Sequence, residues 1–182
     1  VFSQWEWVLR HGELSYLDET QGKQATLFRD VQGVLRNGLR DHRFRLDATP
    51  SAELGQRFSL RGRFKQPLLS SQSGSWENWS GLLYAQSNGL DLQALQQRFM
   101  PTASTRLQGT GWARAWMQFK AGRVHSWATD FGLNGLQVDS DLSGSSWHMP
   151  RFKRALARLE WSEGKAERWS LDSRGATAGG LR

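Results

Sequence analysis

Two short stretches concentrate charge in a pattern suited to holding an anion. Arg57-Phe58-Ser59-Leu60-Arg61-Gly62-Arg63-Phe64 alternates polar and apolar residues, and Arg43 and Arg45 alternate in the same way with Phe44 and Leu46. Successive side chains of a strand point to opposite faces, so Arg43, Arg45, Arg57, Arg61 and Arg63 are expected on one face. Arg36 and Arg40 are near enough in sequence to join them. A row of guanidinium groups suits phosphate, which accepts paired N–H bonds from arginine. The plainer use of such a row is a solvated sheet face guarded against edge pairing.

Signatures of catalysis are missing. His11, His42, His125 and His148 stand singly, with no second histidine at metal-ligand spacing. Asp18-Glu19 and the Asp139/Asp141 pair fall in predicted turns, where carboxylates serve turn chemistry and solubility. Gly109-Thr110-Gly111 opens like a dinucleotide fingerprint, but Arg114 stands where the third glycine belongs, and the segment reads as a strand. There is no Walker loop and no Gly-x-Ser-x-Gly elbow. The sequence therefore assigns no catalytic residue, no metal ligand and no cofactor, and the expectation is a protein without enzymatic turnover.

The other face of the same strands is apolar. Phe44, Leu46, Phe58, Leu60 and Phe64 share it, and Leu82 and Tyr84 from the Gly81–Ala85 run are assigned to it as well. A register slip of one residue would bury the guanidinium groups, so the Arg57–Phe64 strand is well specified. An apolar sheet face needs a cover, and the sequence offers only two short helices. One is Leu92 to Phe99, with apolar residues three and four apart, capped by Asn88 or Asp91 and followed by Pro101. The other is Arg151 to Leu159, with Phe152, Ala155, Leu156 and Leu159 at helical spacing. More apolar strand surface is present than these helices can hide, which makes an open trough the expected shape.

The remaining chain reads as hairpins. Strands are expected around Trp5–Leu9, Leu14–Tyr16, Leu27–Leu35, Phe44–Ala48, Thr105–Phe119 and Val124–Val138, with a last hairpin turning at Glu163-Gly164-Lys165. Turns are expected at His11-Gly12, at Asp18 to Lys23 and at Ala121-Gly122. Asn37-Gly38 is the strongest hairpin signal, since both residues tolerate the positive φ of a type I′ turn. Gln66–Ser75 and Ser140–Ser146 read as connections, and the tail from Gly175 as frayed. Residues 1–66 thus form N-terminal hairpins and 67–75 a linker. Residues 76–140 hold a central motif, a short helix and a hairpin, and 141–182 a second helix and hairpin. Gly122–Asp130 is echoed 42 residues later by Gly164–Asp172 at glycine, cation, tryptophan and aspartate, as stacked hairpin units would be.

In bulk, the 182 residues suffice for one domain or one piece of a larger protein. The net charge is +7, with nineteen arginines against five lysines, which favours anionic partners. Without cysteine there is no disulfide framework and no thiolate metal site. No apolar run approaches the roughly 20 residues that span a bilayer, and no leader pattern opens the chain. The chain begins at Val1 rather than methionine, so a piece of a longer protein is expected. Ten tryptophans spread along the sequence suggest half-buried strand positions.

Trp76-x-x-Trp79-x-Gly81-Leu82-Leu83-Tyr84 followed by Leu90-Asp91-Leu92-x-x-Leu95 resembles the AsmA-like proteins of Gram-negative bacteria, in particular the large YhdP-type members. Upstream, Gly12-x-Leu14-x-Tyr16-x-Asp18, His42-x-Phe44-x-Leu46-x-Ala48, Leu54-Gly55 and Leu60-x-Gly62-x-Phe64 follow in the order of that family. The resemblance covers roughly residues 4 to 140. It implies a mostly β chain, a curved antiparallel sheet of hairpin repeats forming an open β-groove with one or two short helices. It implies a periplasmic segment, tethered to the inner membrane through a part of the protein outside this chain. Its partners would be phospholipid, carried between the inner and outer membranes, and the remainder of its own longer chain. Self-association through open sheet edges is also expected, and nucleic acid is not. On this reading Phe44, Leu46, Phe58, Leu60, Phe64, Leu82 and Tyr84 line the groove, and the five arginines meet headgroups. The alternatives are a carbohydrate-binding β-sandwich using Trp112 and Trp116, or a basic nucleic-acid-binding domain.

Overall fold

The computed structural model describes residues 5–17, 25–66, 78–142, 145–165 and 168–177. The strands are β1 (Glu6–Tyr16), β2 (Thr26–Asn37), β3 (Asp41–Pro50), β4 (Phe58–Lys65), β5 (Ser80–Asp91), β6 (Thr105–Lys120), β7 (Arg123–Leu142), β8 (Ser145–His148), β9 (Arg151–Ser162) and β10 (Arg168–Thr177), with one helix, α1 (Leu92–Phe99). They form a single antiparallel sheet in the order β1-β2-β3-β4-β5-β6-β7-β9-β10, with β8 paired to the far end of β7. The sheet is curved and does not close. The expected mostly β, open sheet of consecutive hairpins is therefore the observed architecture.

Cross-strand partners fix two faces. On one, Phe44 lies opposite Gly62, Leu46 opposite Leu60 and Ala48 opposite Phe58. The row continues through Leu83 and Ala85 of β5, Met117 and Ala115 of β6, and Trp127 and Thr129 of β7. On this face rings two strands apart meet. Phe28 of β2 meets Phe58 of β4 edge-on at 5.9 Å, and Phe64 of β4 meets Phe119 of β6 at 6.1 Å. Flat neighbouring strands lie about 4.8 Å apart, so rings reach over a strand only where it carries a small residue. Gly81 of β5 is that residue between Phe64 and Phe119. This face is the inside of the curve.

Four aromatic rings lie directly opposite glycines: Phe44 with Gly62, Phe64 and Phe119 with Gly81, and Trp112 with Gly132. A Cβ on Gly62 would come within 2.8 Å of the Phe44 ring, one on Gly81 within 2.7 Å of Phe64, and one on Gly132 within 2.6 Å of Trp112. The glycines let the rings lie down on the sheet instead of standing off it.

Several expectations are corrected. Arg151–Leu159 is not a helix but part of β9, because β7 and β10 flank it and complete its hydrogen bonds on both sides. His11-Gly12 is not a turn. It is a bulge inside a continuous β1, with His11 at φ 51° and its imidazole 3.1 Å from the carboxylate of Asp30, itself at φ 47° beside the irregularity in β2. The Asn37-Gly38 hairpin forms, but over the longer Gly38–Arg40 loop and with neither residue at positive φ. The two-residue turn with positive φ is at Ala121-Gly122, φ 48° and 70°. Gly164, at φ 74°, turns the last hairpin, so the sequence echo marks two hairpin tips. β7 runs on to Leu142, into the predicted Ser140–Ser146 connection, and β10 to Thr177, into the tail predicted from Gly175. Asp91, not Asn88, caps α1, its carboxylate accepting from the Ala94 N–H at 3.0 Å. The 67–75 linker, the turn at Asp18–Lys23 and Trp76 lie outside the described residues.

Candidate functional site

The apolar face is a trough whose long axis crosses the strands. At one end of the strands its wall is Trp79, which stacks on His42 at 4.5 Å and 3° and meets Phe64 at 6.3 Å. The Gly122 N–H donates to the Trp79 carbonyl at 2.9 Å, pinning that segment to the β6–β7 tip. At the other end the wall is α1 together with buried Leu54. Leu92 packs on the Leu133, Leu136 and Ala155 cluster, and the Arg98 guanidinium donates to the Thr26 hydroxyl on β2 at 2.6 Å. Since α1 also packs on β6, it spans the inside of the curve like a chord. A hollow of about 410 Å³ lies beneath it, lined by residues including Leu54, Ala94 and Arg98.

Between these walls the floor is apolar and only half-covered. Phe44, Leu46, Phe58, Leu60, Phe64, Leu83, Met117, Phe119 and Trp127 are all of intermediate exposure. Among the described residues no large side chain is fully buried; Leu133, Leu136 and Ala155 cluster near α1, and Val31, Ala48, Leu54 and Trp79 are buried elsewhere. From β2 to β9 the floor crosses six strand spacings, about 29 Å at ~4.8 Å each. One leaflet of a bilayer core is about 15 Å deep, so the trough is long enough for an extended acyl chain.

Five of the seven residues assigned to the lining from sequence do share this floor: Phe44, Leu46, Phe58, Leu60 and Phe64. Leu82 and Tyr84 do not. Leu82 lies opposite Arg63 and Tyr84 opposite Arg61, on the outer face, and Leu83 and Ala85 take the inner positions. The reason is Gly81, which must face inward to admit the Phe64 ring and so sets the parity of β5. The wall residue Trp79 and the floor residues Met117, Phe119 and Trp127 were missed. For Phe119 the signal is the glycine opposite it, Gly81, and Met117 shares its parity on β6; nothing local marks Trp79 or Trp127.

Arg43, Arg45, Arg61 and Arg63 lie on the outer face as the alternation predicts, and Arg57 keeps the same parity just before β4. They are therefore separated from the trough by the thickness of the sheet, and a lipid lying on Leu60 does not meet them. Arg45 donates to Asp47 at 2.6 Å, Arg63 approaches Asp41 at 3.4 Å, and Arg57 is bonded to Asp30. Arg43 and Arg61 have no carboxylate partner among the described residues. Burial pushes the Asp47 carboxyl up, but hydrogen bonds from Arg45 and Ser59 outweigh it and hold the group below its usual range. The arginine bonded to Asp30 holds that carboxyl low as well.

On the same outer face a hollow of about 340 Å³ is lined by Leu82, Trp116, Gln118, Ala128, Glu160 and Arg168, among others. Trp116 is flanked by Tyr84 at 5.4 Å and by the Arg158 guanidinium at 6.0 Å, and Arg114 sits 5.3 Å over Trp112. The single sheet replaces the expected sandwich of the carbohydrate reading. Among the described residues no three His, Asp or Glu side chains converge as a metal site would require. His11, His125 and His148 each sit beside one carboxylate, Asp30, Glu163 and Asp139 respectively.

Comparison with family models, with curated proteins and with solved structures finds no match to this chain.

Proposed function

We propose that this chain is a non-enzymatic lipid-binding segment, its trough taking phospholipid acyl chains along the floor between Trp79 and α1. The observation that carries the reading is the half-covered apolar floor in an unclosed sheet with no fully buried large side chain among the described residues. Burying acyl chain there contributes about 0.8 kcal/mol per CH₂ removed from water. That gain also explains how a floor of phenylalanines and leucines is tolerated on a folded protein. The resemblance to the AsmA-like proteins supports the wider setting: a periplasmic, inner-membrane-tethered protein that bridges the two membranes for lipid transport.

The sheet edges support continuation beyond this chain. Trp7, Val8, Leu14 and Tyr16 of β1 are each about half exposed, and an unpaired edge of that composition invites another strand. That strand would come from the rest of a longer chain or from a second copy. Phospholipid is the expected ligand and nucleic acid is not, since Arg45, Arg57 and Arg63 are already engaged by carboxylates.

Native mass spectrometry of protein prepared from a Gram-negative host without detergent tests this reading. Phospholipid adducts are expected, reduced at least tenfold by Leu60→Asp, which sets a charge on the floor. Protein that is lipid-free throughout, or adducts indifferent to Leu60→Asp, would remove the proposal.

A further inference from the structure

The described hairpin ends on the Trp79 side of the sheet lie in one row. The hydrogen bonds Asn37 N–H to Trp5 O, Gln66 N–H to Arg40 O, Gly122 N–H to Trp79 O and Glu163 N–H to His125 O tie these segments side by side. The row holds the two most exposed large apolar side chains of the described residues, Leu39 at 91% and Trp5 at 75%. It also holds Arg40, Lys65, Lys120, Arg123 and Lys165, all exposed. Among the described residues the carboxylates of this end are engaged: Glu6 by Arg36 at 2.7 Å, Asp41 by Arg63 at 3.4 Å and Glu163 by His125 at 3.0 Å. Of the five cations, only Arg40 has a bonded partner among the described residues, the Gln66 carbonyl. The opposite end of the strands also exposes Phe99 and Met100, but it mixes Arg98 and Arg106 with Glu53, Asp91 and Asp139.

We propose that this row of tips docks on the surface of an anionic lipid bilayer. Its chemistry is that of an interfacial anchor. Indole and leucine side chains enter the headgroup boundary, while lysine and arginine stems reach around them to phosphates. Tryptophan is the aromatic that favours this boundary. The occupant is a bilayer and not a single anion, because the apolar and basic groups are spread along several tips and only Lys165 among them lines a hollow. The Trp79 wall of the trough then stands next to the headgroups. This surface is independent of the lipid-filled trough: either can hold without the other.

The test is flotation with vesicles of phosphatidylcholine containing about one-third phosphatidylglycerol, against pure phosphatidylcholine, since each cation near an anionic surface strengthens binding about fivefold. The protein is expected to float with the anionic vesicles only, and less as salt is raised. Lys120→Glu with Arg123→Glu is expected to weaken binding at least tenfold, and Trp5→Ser with Leu39→Ser to weaken it several-fold. Met100→Asp at the opposite end and Leu60→Asp in the trough are expected to leave it unchanged, with circular dichroism showing each variant folded. Equal binding to neutral vesicles, no flotation, or indifference to the tip variants would overturn the proposal. So would loss of binding in Leu60→Asp, which would place the membrane contact in the trough.

Discussion

Gly62→Ala separates a ring lying in an open trough from a ring locked in a filled core. The added Cβ would clash with Cε1 of Phe44 most closely and stand 2.8 Å from both Cδ1 and Cζ, against ordinary carbon contacts of about 3.5–4.0 Å, so the ring must move by more than about 1 Å. Inserting a methyl into a well-packed interior costs about 1–3 kcal/mol. Here Phe44 is only half-buried and can lift into the trough, which places the cost near the low end. Lifting also breaks its stack on Phe64, 6.1 Å away with rings 6° apart, a loss of about 0.5–1.5 kcal/mol. Alanine in a strand regains about 0.5–1 kcal/mol over glycine. The net expectation is a destabilisation of about 1 kcal/mol, or ~2–4 °C in Tm for a chain of this size. In a Phe44→Leu background the ring is gone, and Gly62→Ala should be neutral or slightly stabilising. Urea unfolding of the four proteins in the cycle measures the coupling. A cost above about 3 kcal/mol would mean the ring is sealed in. Equal effects in both backgrounds would mean it does not lie on Gly62. Either result refutes the packing described.

Two further outcomes follow from the walls of the trough. Burial holds the His42 imidazole below its usual value, with the Asp41 charge offsetting part of the effect. The unfolded chain therefore takes up the proton first, near pH 6.5. This contribution to stability is full above that pH and is lost as pH falls through the folded value, so Tm should decline on acidification from pH 7 to 5, and less steeply in His42→Gln. Identical slopes would dismiss His42 as the cause. Asp91→Ala should cost about 1 kcal/mol by leaving the Ala94 N–H uncapped, and hydrogen exchange should quicken in α1 ahead of the sheet. Uniform quickening would show that α1 is not a separable wall.

The fold was legible where one face differs sharply from the other. In Phe58–Lys65 a single reading places every arginine outside and every ring inside, and β3 pairs with it in the same register. Legibility failed where both faces are apolar. Gly81-Leu82-Leu83-Tyr84-Ala85 has no alternation to read, and its parity is set by a neighbour, the Phe64 ring over Gly81. Arg151–Leu159 reads as an amphipathic helix because Leu156, opposite Gly132, and Ala155, opposite Leu133, fall on different faces of one strand. Apolar groups on both sides counterfeit a helical period when the flanking strands are not in view. The hairpin tip at Asn37-Gly38 was placed correctly, but its turn type was not: neither residue takes positive φ, and the Asn37 side chain is bonded to His42 at 2.9 Å. The cation row at the tips was hidden because its members are far apart in sequence and meet only through strand pairing.

The most direct measurement is photo-crosslinking along β4. Benzoylphenylalanine placed singly at positions 58 to 64 would be irradiated with phospholipid bound and read by mass spectrometry. Capture of lipid at 58, 60 and 64, with little at 59, 61 and 63, is the result expected of acyl chains lying on the inner face. Capture without that two-residue period, or chiefly at the arginine positions, would contradict it.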